Sequence, residues 1–260
     1  MYKRQASMEP TDVAPAVRFR GVGFTYPGGD RPILDGLDLE IAPGETVAIV
    51  GENGAGKTTL VKLLAGLYSP GTGSVTVDGI DPRERRPPIT VLFQDFVRYP
   101  SSVRDNVTAA VPPPHDDAAV REALDQAGAS GLPDDLDASL WREGAGGTDL
   151  SGGQWQRVAL ARALYAVGNG RRLLVLDEPT ANLDVRAEAQ FHDRVVARTT
   201  NTTTVLISHR LATVRAADRI VLLRDGRVAE DGTHDELLER GGDYARFFTT
   251  QAAAFKEDRA

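Results

Sequence analysis

The chain has 260 residues, enough to bury a core without covalent cross-links. A hydrophobic fraction of 41% and a charged fraction of 26% are ordinary for a globular chain, and the lack of cysteine excludes disulfide scaffolds, thiolate metal sites and thiol catalysis. The net charge of −7, with no basic patch, argues against nucleic acid as the main partner, and no apolar run has the length of a membrane span.

Residues 1–15 are polar and contain prolines, and Met1-Tyr2-Lys3-Arg4-Gln5 fits no element that follows. They are expected to be disordered, with a foreign or replaced opening. Order is expected from Val17. Val17–Phe24 alternates like a strand, as does Leu37–Ile41, which a turn at Pro43-Gly44 closes. Thr46–Val50 is the apolar run of a buried parallel strand. Beyond a glycine loop, Leu60, Leu63, Leu64 and Leu67 form the stripe of an amphipathic helix. Ser74–Val77 and Ile89–Phe93 read as further strands. From about 95 to 168 the β pattern stops and helical stretches dominate, broken by Pro112-Pro113-Pro114 and the 144–147 glycine cluster. Strands return at Leu173–Leu176 and Thr204–Ile207. Ile220–Leu223 and Arg227–Ala229 flank Asp225-Gly226 as a hairpin. Asp235–Ala254 is expected to be helical, with 252–260 as a tail. The four histidines (His115, His192, His209, His234) show no metal-ligand spacing, and the short basic run at 83–86 reads as a solvated loop.

The loop Gly51-Glu52-Asn53-Gly54-Ala55-Gly56-Lys57-Thr58-Thr59 meets the pattern G-x-x-x-x-G-K-[ST] between a strand and a helix. Its glycines let backbone N–H groups cradle phosphate oxygens, and the helix aims its positive end at them. Lys57 is expected to reach the β- and γ-phosphates, and Thr58 to bind Mg²⁺. Leu173–Leu176 delivers Asp177 and Glu178 to the carboxyl end of a strand, where open α/β sheets bind ligands. Asp177 would then hold the Mg²⁺ shell and Glu178 orient, or deprotonate, a water. A solvated Asp-Glu-Pro-Thr turn is the alternative. The second glycine motif, Leu150-Ser151-Gly152-Gly153-Gln154, has the S-x-x-Q spacing of a capping box. It is either a helix start alone or a second anion site.

Gly51–Thr59, Gln94, Leu150–Gln154, Leu173–Glu178, the 181–184 segment and His209 occur in the order seen in ABC transporter ATPase domains. Over about Val17–Gln251 the chain resembles that family. The resemblance implies a P-loop NTPase with a RecA-like α/β core, an N-terminal antiparallel β subdomain and an inserted helical subdomain at about 95–168. It implies ATP and Mg²⁺ as ligands, Tyr26 stacked on adenine, and Gln94 sensing Mg²⁺ and the attacking water. It also implies His209 at the γ-phosphate. Ser151, Gly152, Gly153 and Gln154 would serve the ATP of a second, facing ATPase domain, an identical chain or a close paralogue. Residues 182 and 184 would cross that interface. Phe93–Tyr99 and SGGQWQR at 151–157 look like exporters of lantibiotic-type peptides. The 142–149 segment lacks those exporters' Gly-Glu-Arg-Gly pattern. A transmembrane-domain partner at the cytoplasmic face of the plasma membrane is therefore expected. The rivals are an importer-type subunit, a non-transport ABC-type ATPase, and a module that binds nucleotide without hydrolysing it.

Overall fold

The computed structural model describes residues 13–85, 87–141, 150–179, 199 and 201–257. Two sheets organise them. The smaller is antiparallel, in the order β2-β1-β4, from β1 (Val17–Phe24), β2 (Leu34–Ile41) and β4 (Thr72–Val77). The larger runs β5-β6-β7-β3-β8-β9. Its members are β3 (Thr46–Val50), β5 (Ile89–Leu92), β6 (Leu173–Asp177), β7 (Thr203–Ile207), β8 (Arg219–Arg224) and β9 (Arg227–Gly232). Pairing is parallel from β5 through β8, and only β9 is antiparallel.

The central strands are apolar on both faces because the larger sheet divides two cores. Side chains alternate along a strand with period two. Val47, Ile49, Leu173, Val175, Val205 and Ile207 therefore face the antiparallel sheet and helix α1 (Lys57–Leu64). Ala48, Val50, Leu174, Leu176 and Leu206 face a helical layer on the other side. That layer holds α2 (Val103–Thr108), α3 (Asp117–Gln126) and α4 (Gly152–Gly168), all three capped by side chains, those of Ser102, Asp116 and Ser151. The expected α/β core, antiparallel sheet and helical insert are thus all present.

The chain continues from β7 through α5 (Leu211–Arg215) to β8, and closes with α6 (His234–Arg240) and α7 (Asp243–Glu257). The hairpin turn between β8 and β9 has positive φ at both central residues, Asp225 (48°) and Gly226 (74°), as a two-residue primed turn requires.

One expectation fails, at a glycine. Helix α1 stops at Leu64, and Leu67 is 60% exposed instead of continuing the buried stripe. Gly66 takes φ 69°, while Gly66 N–H donates to Leu63 O and Leu67 N–H to Lys62 O, a Schellman termination. The C-terminal stretch is helical as expected, divided into two helices at a second glycine. Gly241 at φ 63° ends α6, and the Glu230 carboxylate accepts from the backbone N–H groups of Asp243 and Tyr244 to start α7. Helix α7 then runs to Glu257.

Candidate functional site

Strand β3 ends at Val50 and releases the chain directly into the glycine loop. Gly51 has to be glycine. A Cβ there would lie 2.3 Å from Leu223 O, and its φ is 150°. Gly54, at φ 86°, has open space where a Cβ would project. Gly56 is the N-cap of α1, so no side chain satisfies the first turn, and that turn carries no acidic residue. The N–H groups at the head of α1 are left for an anion. Lys57 Nζ spans the loop, donating to Gly51 O at 2.7 Å and Glu52 O at 3.0 Å. Burial lowers its pKa, against the opposing charges of Glu178 and Asp177.

Strand β6 lies two strands from β3 and ends at the same edge. It brings Asp177 Oδ2 to 3.3 Å from the Thr58 hydroxyl, which donates to it. Asp177 is buried, and its pKa is pushed up to about 6, first by burial and then by the Glu178 charge. The Thr58 hydrogen bond and Lys57 oppose that rise. A cation between Thr58 and Asp177 would offset both causes, so these residues fit Mg²⁺.

Glu178 has φ 51°, a strained conformation for a residue with a side chain. Its Oε1 lies 2.9 Å from His209 Nδ1. Its Oε2 is buried with no hydrogen-bond partner among the described residues. Such an orphan carboxylate oxygen costs about 1–3 kcal/mol in a folded chain. It is an acceptor held unspent beside the phosphate loop.

Gln94 is exposed and follows β5, whose Leu92 pairs with Leu176 of β6, so it leaves the sheet beside Asp177. The segment after it is held to α4. There Arg162 donates to Val97 O at 3.2 Å and lies over the Tyr99 ring at 4.6 Å. Tyr26 is half-buried. Its ring meets Phe24 and Tyr68 edge-on at 4.9 and 5.4 Å, and its hydroxyl lies 3.1 Å from Thr59 Oγ1. Lys62, which the sequence reading did not single out, donates to that hydroxyl at 3.4 Å.

The second glycine motif does form the expected capping box. Gln154 N–H donates to Ser151 Oγ at 3.3 Å, and Ser151 N–H to Gln154 Oε1 at 2.9 Å. The remaining amide of Gln154 donates to Gly131 O within the helical layer. Gly152 is exposed, and a Cβ on it would meet nothing within 4 Å. Packing among the described residues therefore gives no reason for glycine there, where it costs a helix about 1 kcal/mol relative to alanine. The 181–184 segment and residues 142–149 lie outside the described residues.

Sequence reasoning missed Gln156. It is buried on α4 and donates from Nε2 to Glu178 O at 3.2 Å and Pro179 O at 2.8 Å. A polar side chain among Trp155, Val158 and Ala159 was the available signal.

A family model described as ABC transporter matches residues 34–181. The mycobactin import ATP-binding/permease protein IrtB of Mycolicibacterium thermoresistibile is 42% identical over 260 residues, covering 95% of this chain and 43% of that protein. The ATP-dependent lipid A-core flippase of Chromobacterium violaceum is 41% identical, covering 97% of this chain and 44% of that protein. A solved bacterial Atm1-family ABC exporter with ATP bound matches with a TM-score of 0.81 at 35% identity, over 95% of this chain and 44% of that one. The chain spans less than half the length of these relatives.

Proposed function

The chain belongs to the ABC transporter family as its ATPase domain, and from that premise we propose that it hydrolyses ATP with Mg²⁺ in a head-to-tail pair of such domains. The pair drives export through a transmembrane domain, at the cytoplasmic face of the plasma membrane. The observation that carries this reading is one cluster: Lys57 across the loop, Thr58 on Asp177, and Glu178 on His209. All of these lie at the carboxyl edge of one sheet, where α/β folds bind ligands.

The roles follow from chemistry. Backbone N–H groups of Gly51–Thr59 and the Lys57 ammonium hold the phosphates, and Tyr26 supports the adenine. Thr58, Asp177 and Gln94 would hold Mg²⁺, which supplies neutralising charge at the phosphate oxygens. Glu178 orients the attacking water and accepts its proton, while His209 steadies the carboxylate and contacts the γ-phosphate. Ser151–Gln154 complete the site of the facing domain, and exposed Gly152 leaves room for that nucleotide. Val97, Tyr99 and Trp141 present exposed apolar surface to a partner.

Glu178→Gln is expected to keep ATP binding while hydrolysis falls about 10²- to 10⁴-fold, the usual weight of a general base. Undiminished turnover in that variant refutes the assignment. Import is the second reading, prompted by the printed name of IrtB. Substrate flux in vesicles containing the assembled transporter separates the two directions.

A further inference from the structure

Gln156 is 3% exposed, on the face of α4 that carries Trp155 and Ala159 into the core. Nothing about packing favours a primary amide there, because a buried amide must find hydrogen bonds to offset its desolvation. It finds them on the neighbouring strand end. Nε2 donates to Pro179 O at 2.8 Å and to Glu178 O at 3.2 Å.

Those two carbonyls frame a strained residue. Glu178 has φ 51°, a conformation that costs a residue with a side chain about 1–3 kcal/mol and persists only where its surroundings impose it. On one side the Glu178 N–H donates to Ile207 O at 2.8 Å. On the other side, Gln156 holds the carbonyl. Among the described residues the carboxylate itself is held through Oε1 alone, on His209, whose side chain is 56% exposed. Its aim therefore depends on the backbone beneath it.

We propose that Gln156 is a positioning residue for Glu178, tying the helix that begins at Ser151 to the water-activating carboxylate of the same domain. The proposal rests on the reading of Glu178 given above. It adds a link between the two nucleotides of a pair. Ser151–Gln154 serve the nucleotide of the facing domain, and Gln156 lies within the next turn of that helix. A shift of the α4 N-terminus on contact with that nucleotide reaches the Glu178 carbonyl through one side chain. Each domain thereby sets its own Glu178 according to whether its α4 is engaged across the interface.

The test compares the parent chain, Gln156→Leu, Glu178→Gln and the double variant in steady-state MgATP hydrolysis and equilibrium ATP binding. Gln156→Leu is expected to lower kcat about 10- to 100-fold, the scale of a misplaced reacting group. KM and ATP affinity should stay within about twofold, as for a group acting only on the chemical step. In the Glu178→Gln background the same substitution should change the residual rate by less than about twofold, because both act through one carboxylate. Parental kcat in Gln156→Leu, beside an inactive Glu178→Gln, overturns the positioning role and leaves the Glu178 assignment standing. An equal proportional loss in both backgrounds also overturns it, since that is general damage to α4. Parental turnover in Glu178→Gln instead overturns the assignment beneath. Gln156→Met has similar length and no donor, and carries the same comparison if Gln156→Leu does not fold.

Discussion

The two glycine motifs both open a helix, yet the chain treats them in opposite ways. At Gly51–Thr59 two of the three glycines, Gly51 and Gly56, answer to close neighbours, while Gly54 has open space and a φ of 86°. Leu223 O crowds Gly51, and Leu34 Cδ2 would lie 2.6 Å from a Cβ on Gly56. The helix that follows has no side-chain cap. At Ser151–Gln154 the helix end is capped twice over by its own side chains, and Gly152 faces open space. The first motif is a cradle whose donors await a ligand. The second satisfies its own helix end, and on the proposed reading its exposed glycine leaves room for a nucleotide held by a facing domain. On the proposed reading, one chain carries a phosphate cradle and a separate surface for another domain's nucleotide.

The largest break in this comparison is expected at Lys57. Lys57→Ala removes a charge-assisted contact to phosphate, of about 1.5–3 kcal/mol, so ATP affinity should fall about 10- to 100-fold by titration calorimetry. Unchanged affinity would place the nucleotide elsewhere. Ser151→Asp sharpens the other side. Aspartate caps a helix about as well as serine, so thermal stability should stay within about 0.5 kcal/mol of the parent. Its charge would face the partner's γ-phosphate, and hydrolysis should fall about tenfold or more, the scale of like-charge juxtaposition at an interface. Parental hydrolysis in that variant would reduce the motif to a helix start. The smallest effect is expected at Leu67. Leu67→Ala should shift stability by no more than about 0.5 kcal/mol, whereas Leu64→Ala, in the same proposed stripe but fully buried, should cost about 2–5 kcal/mol by denaturant unfolding.

Leu67 also marks the limit of what the sequence could tell. Its spacing continues the stripe of Leu60, Leu63 and Leu64, but the left-handed Gly66 turns the chain out first, and spacing does not reveal a backbone angle. Gly241 splits the last helical stretch in the same way. Strand patterns were easier to read. The central sheet is walled by two cores, so residues 47–50 of β3, 173–176 of β6 and 205–207 of β7 are apolar on both faces. The phosphate loop and the carboxylates of β6 were legible because a strand end fixes where they emerge. Gln156 was not, since a glutamine on a helix reads as surface until its neighbour across the fold is known. The raised pKa of Asp177 comes from burial and from Glu178, and only burial in the assembled fold reveals its extent.

On the proposed function, hydrolysis needs a second domain whereas ATP binding does not. Specific ATPase activity measured against chain concentration, with association state followed by sedimentation, tests it directly. The monomer is expected to bind ATP but hydrolyse little of it, with a rate per chain that rises as pairs form. A rate per chain that is constant across that range, with the chain monomeric throughout, would contradict it.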